Sequence, residues 1–260
     1  QPKRTLKDKA RLFLLVLNPL TWQQWLKFKR RSNIYKNNPL IRRVYQTRVQ
    51  IGKDFIESRM KQITTYHSLV ELVNRTKDFD AVLVGSDQQW HPAVFYSGIS
   101  RLLFVPDETK KISYATSFGV SKIPFYAKSK GRQFLSRIEH ISVREETGRN
   151  IVFELCGKEA QVVVDPVFLL TKSDWESKLH LNELEQMVEP YILTYFLGDN
   201  PQHRKLATIL GKETGYNIFN IFNVEAQCSI DNCFADSNIF DASVEKFLCL
   251  LKNAAFLCTD

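Results

Sequence analysis

Residues 81–90 read A-V-L-V-G-S-D-Q-Q-W, an apolar run followed at once by small and polar residues. Such a run predicts a buried strand of a parallel sheet. In open α/β folds, ligands bind beyond the carboxyl ends of such strands. The polar residues that follow Val84 are therefore the first candidates for a functional site.

Apolar runs alternate with amphipathic stretches along the rest of the chain. Predicted strands cover residues 81–84, 111–115, 141–143, 162–164, 191–196, 216–222 and 254–258. The run over 162–164, like that over 81–84, is expected to be a buried strand. Predicted helices cover residues 68–73, 125–135, 145–155, 202–213 and 244–251. Strands that alternate with helices in this way predict parallel sheets in an α/β fold.

The alternation pauses after Asp165-Pro166 and restarts near Tyr191, which predicts two Rossmann-like domains. Residues 1–60 are expected to form a basic, mainly helical segment of the first domain, whose Rossmann-like part covers 61–172. Residues 173–260 are expected to form a second Rossmann-like domain. This domain is predicted to be incomplete, because the sequence stops directly after its last predicted strand.

The composition indicates a globular protein, with 44% hydrophobic residues. The apolar run from Leu12 to Leu17 is far shorter than the ~20 residues of a membrane span. The five cysteines are scattered, so we expect thiols and a cytoplasmic location. Cys228 and Cys233 lack a second matched pair, and no glycine-rich nucleotide motif occurs, so neither a metal nor a cofactor is expected.

Positive charge is concentrated in the amino-terminal fifth. Residues 1–53 carry 14 Lys and Arg against one acidic residue, and residues 54–260 carry 22 against 27. Trp22 and Trp25 adjoin basic residues, a pattern that can dock on anionic lipid headgroups. A solvated basic helix face is the simpler alternative. No nucleic-acid-binding motif is present, so no nucleic-acid partner is expected.

Five ordered blocks of sequence resemble the polysaccharide pyruvyl transferase family. They are D-F-D-A-V-L-V-G-S-D-Q-Q-W-H-P (78–92), I-S-Y-A-T-S-F-G (112–119), I-S-V-R-E (141–145), V-V-V-D-P-V-F-L-L (162–170) and Y-I-L-T-Y-F-L-G (191–198). The resemblance implies a GT-B-like pair of Rossmann-like domains. It also implies a transferase that moves the pyruvyl group of phosphoenolpyruvate onto two sugar hydroxyls of a cell-surface or exopolysaccharide precursor, forming a cyclic ketal. Phosphoenolpyruvate is then the donor substrate, and no cofactor is implied.

The chain departs from the family pattern in three respects. Family members usually open with a strand and an N-Y-G-A-type loop and continue after T-D with S-F-H-G, whereas this sequence ends at Thr259-Asp260. His91 stands where Asn is more usual. We therefore expect a fragment that lacks both family termini. It is expected to be inactive if the His of S-F-H-G supplies the catalytic acid.

The implied reaction needs cations for a carboxylate and a phosphate, one acid and one base. Arg144 follows a predicted strand, where its guanidinium can hold either anion bidentately. An ion pair with Glu145 or a neighbouring acid is the alternative role for Arg144. Asp87 can accept a hydroxyl proton at the end of its strand. Capping of a following helix is the alternative for Asp87 and Ser86.

Six further residues complete the candidate site. The predicted substrate-binding residues are Ser86, Gln88, Trp90, His91, Ser117 and Glu145. Trp90 could instead pack in the core. Glu145 and Glu146 could instead lie in the first turn of a helix, where carboxylates meet the positive end of the dipole. Asp165 is expected to end a strand at the domain boundary.

The expected partner is a glycan or lipid-linked glycan acceptor, with peripheral contact to the inner face of the cell membrane through residues 1–53. Two alternatives stay open. One is a GT-B-like glycosyltransferase that uses a nucleotide sugar, and the other is a glycan-binding module without catalysis. Binding of phosphoenolpyruvate that depends on Arg144 would separate pyruvyl transfer from both.

Overall fold

The computed structural model describes six stretches of the chain, residues 37–60, 64–92, 99–184, 189–198, 200–223 and 234–260. These stretches contain two four-stranded parallel sheets and seven α-helices, which confirms the α/β class. Contacts divide the chain into two compact units. One unit covers residues 64–171, and the other combines the helix that precedes residue 60 with residues 172–260. The GT-B-like pairing of the two units stays a prediction.

The elements follow one another in the order that the alternation predicts, with three additions. The helices are α1 (Pro39–Arg59), α2 (Leu69–Thr76), α3 (Phe125–Leu135), α4 (Glu146–Cys156), α5 (Lys172–Lys178), α6 (Pro201–Thr214) and α7 (Val244–Asn253). The strands are β1 (Ala81–Val84), β2 (Lys110–Thr116), β3 (His140–Val143), β4 (Gln161–Val162), β5 (Tyr191–Tyr195), β6 (Asn217–Ile221), β7 (Ser237–Ile239) and β8 (Phe256–Thr259). The additions are α1, whose bounds the sequence did not indicate, α5 and β7.

The first sheet has the strand order β1-β2-β3-β4, with all strands parallel. Because the strands point the same way, their carboxyl ends meet at one edge of the sheet. The polar residues that follow β1, β2, β3 and β4 are thereby brought to the same side of the unit. This edge is where the candidate residues lie.

Two of the apolar runs predicted as buried strands lie at the borders of the first sheet instead. In β1 only Val84 is buried, and Leu83 is exposed. At the opposite border β4 has two residues, and Val162 and Val164 are exposed. The prediction that these runs are buried is wrong, because a border strand has a described neighbour on one side only.

Trp90 lies in the core of the first unit and is fully buried. Its ring packs against Phe118 and Phe134, with centroid distances of 5.4 Å in both cases. Its indole N–H donates to the carbonyl oxygen of Ser100 at 3.0 Å. The prediction that Trp90 binds substrate is therefore corrected: its ring has no exposed face for a sugar, and packing in the core is its role.

The second sheet has the strand order β7-β6-β5-β8, again with all strands parallel. The sequence runs outward from β5 through β6 to β7 and then returns to the other side of β5 at β8. This reversal is the topology of a Rossmann-like half. The polar stretch Ser237-Asn238-Ile239 of β7 carries no apolar run, which is why the sequence did not predict it.

Helix α1 belongs with the second sheet, whereas the sequence analysis assigned residues 1–60 to the first domain. Arg48 donates through Nε to the carbonyl oxygen of Phe240 at 3.0 Å. Arg59 donates to the carbonyl oxygen of Lys178 at 2.7 Å and lies 3.5 Å from Glu245. Residues 1–36, which include Trp22 and Trp25, lie outside the described residues. Among the described helices, none is long and apolar enough to cross a membrane.

Candidate functional site

The loops that follow β1 and β2 are joined closely at the carboxyl edge of the first sheet. A Cβ built on Gly85 would lie 2.0 Å from the carbonyl oxygen of Tyr114, so only glycine fits there. The amide of Ser117 donates to the carbonyl oxygen of Asp87 at 2.8 Å, and the amide of Trp90 donates to Ser117 at 3.1 Å. These backbone bonds place Asp87 beside the end of β2.

A bulge at the end of β2 sets the direction of its loop. The pairing of β2 with β3 shifts between Ser113 and Thr116, and Ala115 within the shift has a φ of 49°. The amide of Ala115 donates to the hydroxyl of Ser142 on β3 at 3.3 Å. The amide of Ala115 within the bulge is therefore hydrogen-bonded, and the bulge changes the direction of the chain before Ser117. Bulges near functional sites commonly redirect a side chain in this way.

Arg144 is the centre of a charged cluster at this edge. Its Nη1 lies 2.8 Å from Asp165 Oδ2, and its Nη2 lies 3.2 Å from Asp87 Oδ1. Its Nε lies 3.9 Å from Glu145 Oε2. The alternative considered for Arg144, an ion pair with Glu145 or a neighbouring acid, is therefore present in the structure, and its shortest contact is with Asp165. The two predicted catalytic residues, Arg144 and Asp87, are thus in direct contact.

The charged states within this cluster follow from its hydrogen bonds. The amide of Val167 and then the guanidinium of Arg144 lower the pKa of Asp165 below its ordinary value. The hydrogen bond to Asp165 raises the pKa of Arg144, although partial burial opposes it. Arg144 and Asp165 are therefore both charged at neutral pH. Asp87 is much more exposed, with 74% of its side chain accessible against 19% for Asp165.

Ser117 and Glu145 form a link between the loop after β2 and the start of α4. The Ser117 hydroxyl donates to Glu145 Oε1 at 2.8 Å and accepts from the amide of Gly119 at 3.0 Å. The amide of Phe118 donates to the same carboxylate oxygen at 3.4 Å. Ser117 is buried, so its predicted substrate contact is corrected to a positioning role. Glu145 precedes α4 without capping it by a side-chain bond.

The loop after β1 carries the remaining candidates. Asp87 has a φ of 67°, and no helix begins within residues 88–91, so its side chain does not act as the helix cap considered above. Gln88 is exposed and lies over Gly119, since a Cβ on Gly119 would come 2.7 Å from Gln88 Cδ. Burial lowers the pKa of His91, which favours a neutral imidazole there. Ser86 is half-buried beside Asp87.

Asp165 is the residue of this site that the sequence analysis missed. It was expected to end a strand, and it does cap the amide of Val167 at 3.1 Å. Its other carboxylate oxygen holds Arg144. The signal that could have found it is positional: it follows β4 as Asp87 follows β1, at the same edge of the sheet. Five candidate residues lie shortly after strands that end at this edge of the sheet: Ser86, Asp87, Gln88, Arg144 and Asp165.

The carboxyl edge of the second sheet has a different kind of polar contact. Asp260 accepts hydrogen bonds from the amides of Leu197 and Gly198 at 2.8 and 2.7 Å. Arg204 donates to the carbonyl oxygen of Gly198 at 3.0 Å, and Asn223 donates to that of Leu197 at 2.9 Å. These three side chains hold the loop between β5 and α6 through its backbone.

No three His, Cys, Asp or Glu residues in the described ranges are grouped as a metal site requires. Cys228 and Cys233, considered for a metal site, lie outside those ranges. The described charged groups at the edge of the first sheet are thus a guanidinium with carboxylates around it. A fixed guanidinium can bind an anion, and an exposed carboxylate beside it can accept a proton.

Comparison with known proteins agrees with the resemblance seen in the sequence. A family model described as polysaccharide pyruvyl transferase matches residues 4–260. Comparisons with curated proteins and with solved structures found no match. The family match covers nearly the whole chain, including both sheets and the cluster around Arg144. The chain therefore belongs to the polysaccharide pyruvyl transferase family, a family of transferases.

Proposed function

We propose that the protein transfers the pyruvyl group of phosphoenolpyruvate onto two hydroxyls of one sugar in a cell-surface or exopolysaccharide precursor. Both hydroxyl oxygens bond to the central carbon of the donor, and the bond from that carbon to the phosphate oxygen breaks. One hydroxyl proton is balanced by protonation of the methylene carbon, which becomes a methyl group. The other is balanced by protonation of the departing phosphate. The products are a cyclic ketal and inorganic phosphate.

The observation that carries this proposal is the geometry of Arg144. Asp165 holds one guanidinium nitrogen at 2.8 Å, and Asp165 is itself fixed by the amide of Val167. The guanidinium is therefore preorganised at a strand end, where planar donors suit the carboxylate or phosphate of the donor. Asp87 lies directly beside it and is exposed, so it is the group best placed to accept a proton from a sugar hydroxyl.

The surroundings of the reaction are part of the same proposal. The acceptor is a glycan or lipid-linked glycan, the location is the cytoplasm, and the basic residues 1–53 contact the inner face of the cell membrane. Arg42, Arg43 and Lys53 are exposed on α1, which supports such a contact. The two units are proposed to adopt the GT-B-like pairing of the family, and phosphoenolpyruvate is used without a cofactor.

The test is release of inorganic phosphate from phosphoenolpyruvate in the presence of candidate glycan acceptors. We expect acceptor-dependent release by the wild-type protein, loss of release in Arg144→Ala and partial release in Arg144→Lys, because lysine keeps the charge without the bidentate geometry. Arg75→Ala is the matched control, since Arg75 is an exposed arginine of the same unit paired with Asp78. Phosphate release that is equal in Arg144→Ala and wild type would refute the proposal.

A further inference from the structure

The charge balance around Arg144 restricts how an anion can reach it. Three carboxylates, those of Asp87, Glu145 and Asp165, lie within 3.9 Å of one guanidinium, so the cluster carries a formal charge of −2. An anionic donor that approached this cluster unchanged would be repelled, because like charges at such distances disfavour each other. At least one carboxylate therefore has to leave the guanidinium when the donor binds.

Two of the three carboxylates are held by other groups. Asp165 accepts from the amide of Val167 as well as from Arg144. Glu145 accepts from the hydroxyl of Ser117. The side chains of Asp165 and Glu145 are 19% and 32% exposed. Neither carboxylate can move without breaking bonds to its own surroundings.

Asp87 differs from both in exposure and in partners. Its side chain is 74% exposed, and its contact with Arg144 Nη2 is 3.2 Å long. Within the described part of the chain, Arg144 is the bonding partner of its carboxylate. Its backbone carbonyl, by contrast, is fixed by the amides of Gln89 and Ser117 at 2.7 and 2.8 Å. The carboxylate can therefore turn away while the residue stays at the sheet edge.

We infer that Asp87 occupies the donor's position on Arg144 in the free protein and is displaced by the donor's anionic group. The inference rests on the proposed function and adds an order of binding to it. Before the donor arrives, one oxygen of the Asp87 carboxylate accepts a hydrogen bond from Arg144. After displacement it is unpaired beside the bound donor, ready to accept a proton from a sugar hydroxyl. The donor therefore binds before the acceptor can react.

The test is a calorimetric titration at low salt of three proteins, wild type, Asp87→Asn and Asp165→Asn. Each is titrated with phosphoenolpyruvate and, separately, with pyruvate and inorganic phosphate, which represent the two anionic parts of phosphoenolpyruvate. Asp87→Asn removes the internal competitor, and asparagine tolerates the left-handed backbone of position 87. We expect it to bind phosphoenolpyruvate about two- to fivefold more tightly, the range of an exposed ion pair. The gain should shrink as salt is added.

Asp165→Asn is the matched control, because it removes one negative charge from the same guanidinium. Asp165 keeps its place and orients Arg144 when the donor binds, so its loss removes a repelling charge but also this support, and it should tighten binding less than the loss of Asp87 does. An equal gain in both variants would show that charge alone is responsible and would overturn the displacement. Thermal melting of each variant checks that the fold is retained.

The remaining outcomes separate this inference from the proposed function. Wild-type binding of phosphoenolpyruvate with no gain in Asp87→Asn would overturn the displacement and leave the function standing. Binding of pyruvate or phosphate that Asp87→Asn tightens, without binding of phosphoenolpyruvate, would support the displacement and refute the donor. Absence of binding of all three compounds to all three proteins would refute both.

Discussion

The carboxyl edges of the two sheets both carry an arginine and an aspartate, but these residues have different partners. At the first sheet Arg144 contacts other side chains, and Asp87 is largely exposed. At the second sheet Arg204 and Asp260 contact the backbone of one loop, and Arg204 is only 3% exposed. The same residue types near the carboxyl edges of the two sheets therefore form two kinds of structure.

This difference indicates which edge can exchange partners with a ligand. A charged side chain that is exposed and bonded to another charged side chain can change partner at little cost. A buried side chain that satisfies backbone groups cannot do so without leaving those groups unpaired. We therefore interpret the edge of the first sheet as the site and the loop contacts of the second sheet as support.

The largest effect is expected from a substitution that disrupts the close approach of Gly85, which follows β1, to the backbone of β2. Gly85→Ala places a methyl group against the backbone oxygen of Tyr114, and backbone cannot move aside as a flexible side chain can. We expect a loss of about 3 kcal/mol or more in the free energy of unfolding, measured by denaturant titration. Gly157→Ala is the control, since Gly157 also has a positive φ of 68° but nothing lies within 4 Å of an added Cβ. A similar loss in both variants would contradict the close approach.

Removal of Arg204 tests the supporting role of the second edge. Arg204→Ala leaves the carbonyl oxygens of Gly198 and Asn200 without their charged donor. We expect a loss of about 2–3 kcal/mol in the free energy of unfolding, with unchanged affinity for phosphoenolpyruvate in the folded protein. Arg75→Ala, at an exposed ion pair, should cost less than about 1 kcal/mol. Weakened ligand binding at full stability in Arg204→Ala would reverse our assignment of the two edges.

A smaller effect is expected in the pH dependence of stability, which tests the contacts of Asp260 at the edge of the second sheet. Burial alone would raise the pKa of Asp260, but the amides of Leu197 and Gly198 outweigh it and lower the pKa below its ordinary value. A carboxyl with a lowered folded-state pKa stabilises the fold above its unfolded pKa of about 3.9. This stabilisation is lost as the pH falls through the folded-state pKa.

Asp260→Asn should therefore lower the melting temperature most at neutral pH, by the equivalent of about 1 kcal/mol, and progressively less below about pH 4. The measurement is thermal melting of wild type and variant between pH 3 and 7. Asp78→Asn, which removes an exposed carboxylate paired with Arg75, is the charge-matched control. A difference between wild type and Asp260→Asn that grows toward acid pH would contradict the amide contacts.

Much of the fold is predictable because apolar runs and their spacing specify strands and helices directly. The run over 81–84 and the helix over 125–135 have the bounds that the sequence predicts. Burial was harder to predict, because it depends on the strand order, which places β1 at a border. The short polar strand β7 is positioned by its pairing with β6, so its own residues contain little that predicts a strand.

The candidate site is predictable in position more than in contacts. Asp87 and Arg144 were found because both follow strands that end at one edge, but their direct contact depends on side-chain directions that spacing does not specify. Trp90 and Ser117 are adjacent to that edge in sequence, yet both are buried. Asp165 was not predicted as a site residue because its position before Pro166 was already explained as the end of a strand at the domain boundary.

The most direct test of the central claim is a calorimetric titration of phosphoenolpyruvate into wild type, Arg144→Ala and the control Arg75→Ala at low salt. We predict saturable binding by wild type and by Arg75→Ala. Loss of a charge-assisted hydrogen bond, about 1.5–3 kcal/mol, should weaken binding to Arg144→Ala by about 10- to 100-fold. Equal affinity in all three proteins, or no binding to wild type, would contradict the assignment of Arg144 as the donor-binding residue.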